Sequence, residues 1–184
     1  MPPVIVDMPW PPDTGEDLVF PDGMPVTDPT SGRPFRVRHD QIILWASLTP
    51  RTVVALPPGF PMFPVLLDTG FNDAFLMQQR QAEVWMTPSG IAQLPLSGSD
   101  LVVGSARIPG REAILWLHPN VPGTREPDLN GTPVRLGLPI GAALTPPGSA
   151  YAREKPLLGL LAVRFNRLVL RIDGGRERGG IDSP

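Results

Sequence analysis

Apolar positions along the chain gather into short runs rich in β-branched residues, parted by stretches that contain proline or glycine. That pattern predicts strands joined by turns. The runs cover residues 41–48, 52–56, 62–67, 101–108 and 112–118, and a further strand is expected over 132–138. Pro109-Gly110, between two of these runs, predicts a hairpin turn. A helical period shows only late in the chain, where Leu158, Leu161, Ala162 and Phe165 fall on one face and predict a short helix over 157–165. The expected class is mostly β with one short C-terminal helix.

Proline sharpens this picture. Its 26 residues mark the lead-in up to Arg33-Pro34, the stretch 56–61 and the span 119–156. A residue without a backbone donor is confined to loops, strand edges and extended arms, so a long helical bundle is excluded. We therefore expect a proline-rich N-terminal arm or spacer over 1–35 and a compact domain over 36–173 interrupted by an insertion at 119–156. A flexible Gly- and Arg-rich tail is expected over 174–184. A chain of 184 residues is long enough to bury a real core.

Charge and residue usage exclude several functions. Lysine plus arginine, 16, nearly balance aspartate plus glutamate, 18, so no strong field favours nucleic acid or an anionic membrane as partner. The absence of cysteine removes disulfides, thiolate metal sites and a cysteine nucleophile. His39 and His118 lack ligand spacing, so neither a metal nor another cofactor is expected, and both are read as partly exposed loop or strand-end residues. Ser97, Ser99 and Ser105 lie in polar turns without the pattern of a serine nucleophile. No segment approaches the roughly 20 apolar residues of a membrane span, and the start lacks the features of a secretory signal. A soluble, cytoplasmic protein is expected.

The chemistry centres on Phe63-Pro64-Val65-Leu66-Leu67-Asp68-Thr69-Gly70-Phe71-Asn72, an apolar strand that delivers one carboxylate into a glycine turn. The bare tripeptide means little. A second copy, Asp13-Thr14-Gly15, follows Pro11-Pro12 with no strand to bury its carboxylate. A downstream partner is Pro156-Leu157-Leu158-Gly159-Leu160-Leu161, followed by Phe165-Asn166-Arg167-Leu168-Val169-Leu170-Arg171-Ile172-Asp173.

Taken in this order, the two stretches resemble the retropepsin-like family of single-domain aspartic peptidases, with Leu-Leu-Asp-Thr-Gly-Phe-Asn most similar to its bacterial members. The resemblance runs from about Ile42 to Asp173. It implies a closed β-barrel and an endopeptidase in which Asp68, Thr69 and Gly70 form the catalytic motif. With one such motif in a suitable strand, the second carboxylate must come from a second copy, so the resemblance implies a homodimer acting on polypeptide.

It further implies substrate contacts from Phe71, Asn72 and Asp73, where Asn72 replaces an acidic residue of retroviral members. Residues 82–94 are the expected flap hairpin, with Thr87-Pro88-Ser89-Gly90 at its turn and Trp85, Met86, Thr87, Ser89, Gly90 and Ile91 as contacts. Trp85 and Met86 suit a packed flap stem as well as a ligand contact. Leu157, Leu158 and Gly159 are implied to pack behind the active-site loop. Two other readings stand beside this one: a catalytically silent retropepsin-like module for peptide binding or scaffolding, and an unrelated β-barrel that would place Leu158-Gly159 far from Asp68.

Overall fold

Strands dominate the computed structural model, which describes residues 4–10, 12–103 and 106–182. The elements are β1 (Val4–Pro9), β2 (Glu16–Asp17), β3 (Arg36–Val37), β4 (Ile42–Thr49), β5 (Phe63–Asp68), β6 (Phe75–Gln78), α1 (Gln79–Trp85) and α2 (Pro88–Ala92). They continue as β7 (Leu96–Val103), β8 (Ala106–His118), β9 (Val134–Arg135), β10 (Ile140–Thr145), β11 (Leu157–Gly159), α3 (Leu160–Phe165), β12 (Val169–Asp173) and β13 (Arg178–Asp182). The main sheet runs β10-β6-β11-β5-β4-β8-β7, with β9 on β8 and a further pairing of β10 with β8.

β4 has no polar-apolar alternation because both of its faces are covered. Leu44, Ala46 and Leu48 join Phe63, Val65 and Phe75 in the main core, while Ile43 and Trp45 pack with Leu18, Val26, Phe35 and Val37. Trp45 also satisfies its indole donor, giving Nε1–H to Arg125 O at 2.7 Å. The expected spacer thus folds onto the body. Burial of Leu18, Val26 and Phe35 stabilises by about 1.5–3 kcal/mol each. Asp28 pins the same segment from within, accepting from Ser31 N at 3.0 Å, Ser31 Oγ at 2.7 Å and Gln81 Nε2 at 3.1 Å.

Several expectations are corrected. Residues 52–56 form no strand, since prolines flank them and Val54 lies in solvent. Pro109 and Gly110 lie within β8, and Val103 pairs with Ala106, so the chain reverses between those two. In the insertion only Val134–Arg135 of residues 132–138 is strand, whereas Ile140–Thr145 supplies a full member of the main sheet. The helix expected over 157–165 begins at Leu160, after the strand Leu157–Gly159. The tail is not loose, because β13 pairs with both β1 and β12 in a separate three-stranded sheet. The first three residues of the expected arm, its Pro11, and the last two residues of the expected tail lie outside the described residues.

His118, expected to be partly exposed, is buried at the end of β8, and burial pushes its pKa down to about 4. The unfolded chain takes up this proton near pH 6.5 and the folded chain does not, so stability present above pH 6.5 is lost as pH falls toward 4. The expected loss across that window is about 3 kcal/mol. Denaturant titrations at stepped pH should show it, and His118→Gln should flatten the dependence.

Candidate functional site

β5 holds Asp68 between two neighbours. β4 pairs with it antiparallel, Ile42 opposite Leu67, and β11 pairs with it in parallel, Gly159 opposite Asp68. The carboxylate is half-buried, while Thr69 and Gly70 are exposed. Backbone turns the chain sharply here. Gly70 N–H donates to Asp68 Oδ1 at 2.8 Å, and Phe71 N–H to Asp68 O at 3.1 Å. Among the described residues no cation pairs with Asp68, so the carboxylate stays available for chemistry.

The loop after Asp68 is locked from the side by β11. Gly159 N–H donates to Ala74 O and Leu160 N–H to Phe71 O, each at 3.0 Å. β11 also pairs antiparallel with β6, Leu158 opposite Phe75, so it fills the space between β5 and β6. A side chain at 159 would overlap the carbonyl oxygens of Asp73 and Phe71 and come within 2.7 Å of Phe71 Cδ1. Glycine is required there for close approach. Leu158 is fully buried in the main core, and Leu157 packs in a cluster with Leu76, Leu101, Ile108 and Ala143 that Phe71 joins. The three residues of this strand thus sit directly beside Asp68.

Gly70 differs. A Cβ on it would meet only Asp68 Oδ1, at 3.3 Å, so nothing else among the described residues crowds this position. Asn72 is exposed and Asp73 half-buried. Asp73 lines a depression with Asp100 of β7, Ile140 of β10 and Phe165 of α3.

Residues 82–94 do not form a flap. They are the helices α1 and α2 with the link between them, for local reasons. Gln78 and Gln81 make a reciprocal capping box, Gln79 Nε2 donates to Glu83 Oε1 at 2.9 Å, and Thr87 caps α2 with proline at its first turn. Trp85 stacks on Phe63 with ring centres 6.1 Å apart and meets Phe35 edge-on at 6.4 Å, a core role. Met86, Thr87, Ser89 and Gly90 border a hollow with Leu48 and Phe60, at the end of β4 remote from Asp68. Ile91 is buried in the core.

The hairpin near Asp68 is β7–β8, which sends Leu101 and Ile108 into the cluster that Phe71 joins. The Gly104-Ser105 pair is the sequence signal for this hairpin and lies outside the described residues. Ser105 falls there too, and Ser97 and Ser99 belong to β7. No protein-family model matches the chain, and no curated protein matches it.

Gly159→Ala should cost at least about 3 kcal/mol or prevent folding, because backbone oxygens cannot move aside. Gly70→Ala should cost no more than about 1 kcal/mol. Urea titration of the two variants at equal chain concentration checks the contrast.

Proposed function

We propose that the chain is an aspartic endopeptidase that works as a homodimer, with the two Asp68 carboxylates facing each other across a twofold axis. One observation carries this reading: Asp68, on the Thr-Gly turn, lies in register with Gly159, and Leu157–Gly159 fills the gap between β5 and β6. An unrelated barrel has no reason to interlock these two motifs. The pairing of β10 with both β6 and β8 supports a closed barrel, as this reading requires.

The chemistry follows from one proton shared by two acids. Like charges a few ångströms apart cannot both ionise cheaply, so one Asp68 is ionised and the other protonated. Aspartic peptidases are the standard instance of this effect. The ionised carboxylate takes a proton from a water molecule as its oxygen attacks the peptide carbonyl carbon, and the protonated one donates to the carbonyl oxygen. When the tetrahedral species collapses, the C–N bond breaks, one carboxyl gives its proton to the leaving nitrogen, and the other carboxylate takes back a hydroxyl proton as the carbonyl re-forms. One acid is then again ionised and the other protonated.

Thr69 serves across the interface, its hydroxyl bonding to the partner subunit beneath the acids. Gly70 admits the partner's backbone, which accounts for a glycine at a position with no other crowding among the described residues. The β7–β8 hairpin takes the covering role first expected of residues 82–94, and Phe71, Asn72 and Asp73 border the extended substrate. Residues of the insertion, Ile140 and Gly141, rim the same side.

Asp68→Asn should lower peptide cleavage by about a thousandfold or more while leaving the dimer intact by sedimentation. Wild-type activity should be bell-shaped in pH on the acidic side of neutrality, and activity per chain should fall on dilution as dimers part. Cleavage that persists in Asp68→Asn would end the proposal. Peptide binding by the wild type without turnover would select the silent binding or scaffolding module instead.

A further inference from the structure

A second polar centre lies at the opposite end of β5 from Asp68, built from Ser47 of β4 and His118 of β8. Ser47 Oγ is 2.7 Å from Pro61 O and 2.8 Å from His118 Nε2. A carbonyl only accepts, so the single hydroxyl proton of Ser47 goes to Pro61 O. Ser47 Oγ must then accept from His118, which fixes the proton on Nε2 and leaves Nδ1 a bare acceptor. Burial keeps this ring neutral, with its pKa lowered to about 4. Ser47 is fully buried and its proton is committed, so the pair is no serine nucleophile.

His118 is only 8% exposed, yet it lines a cavity of about 470 Å³. Its Nδ1 has no partner among the described residues, and it is not among the buried polar atoms sealed from solvent without one. The other large side chains of the lining, Leu56, Pro58, Phe60, Met62 and Leu129, are apolar. Asp128 adds a second acceptor, one oxygen of which already takes Asn130 N–H at 2.9 Å. Both polar side chains of the lining accept hydrogen bonds. A ligand atom that meets His118 Nδ1 must therefore donate, and the apolar side chains suit an apolar body. Proline, phenylalanine and methionine side chains favour contact with a ring.

We infer that this cavity is a binding site for a small aromatic ligand whose hydroxyl or amino group donates to His118 Nδ1. The site is independent of the peptide chemistry proposed for Asp68.

The test uses 4-ethylphenol and its methyl ether, which share a body and differ in the donor. Titration of the full chain followed by NMR should show the phenol binding about tenfold more tightly, with the His118 Nδ1 resonance moving as it saturates. His118→Phe should erase the difference between the two probes. Leu129→Trp, at an exposed wall position, should weaken both by filling the cavity. Should His118→Phe fail to fold, the Nδ1 shift and the Leu129→Trp variant decide. Equal binding of the two probes, no saturable binding, an Nδ1 resonance that stays put, or binding that survives Leu129→Trp would overturn the inference.

Discussion

Gly159 is the point on which the arrangement around Asp68 turns. A side chain there would overlap the carbonyl oxygens of Phe71 and Asp73, and the Gly159 amide donates to Ala74 O. This contact converts a loop into a fixed platform. A carboxylate on a free turn would sample many orientations, and general acid-base chemistry tolerates few of them. By wedging between β5 and β6, the strand Leu157–Gly159 holds the loop from Asp68 to Asp73 at both ends. The only crowding is on the inner side, and Thr69 and Gly70 are left open outward.

A second constraint is the double burial of β4. Because Ile43 and Trp45 face one core and Leu44 and Ala46 the other, the strand is held on four sides, two by pairing and two by packing. Rigidity at β4 passes to β5 through their shared register, and so to Asp68. The lead-in residues that cover the outer face contribute to the site without touching it. Arg125 follows the same logic, since it gives its carbonyl to Trp45 and pairs with Glu16 of the lead-in.

How much of this was legible depends on which forces decide each element. The strand into Asp68 could be read directly, because an apolar run leaves its mark in sequence, whereas Leu157-Leu158-Gly159 stands out as a motif but is a strand where a helix start is expected. The helices α1 and α2 stand where a hairpin is expected because Thr87-Pro88-Ser89-Gly90 satisfies two grammars, a hairpin turn and a capped helix start. The run Gln79-Arg80-Gln81-Ala82-Glu83, rich in helix formers, decides for the second. β10 was hidden because Gly141, Ala142 and Ala143 have little strand preference of their own, and neighbours on both sides impose the conformation. Glycines alone predict a flexible tail. At Gly180 that same lack of a side chain admits Val6 O, so glycine there serves pairing. His118 carried no signal of burial at all, because its environment is assembled from Ser47, Pro61 and residues more than fifty positions away.

The sheet formed by β1, β13 and β12 joins segments from opposite extremes of the chain, with Asp7 and Arg178 paired across 171 residues. During synthesis β1 has no partner until β13, some 171 residues later, has followed it. Loop closure on that scale is entropically slow, and an unpaired strand bearing Val4, Ile5 and Val6 invites mispairing with neighbouring chains. A nascent polypeptide can thus shut this clasp only after every residue between its two halves has been made.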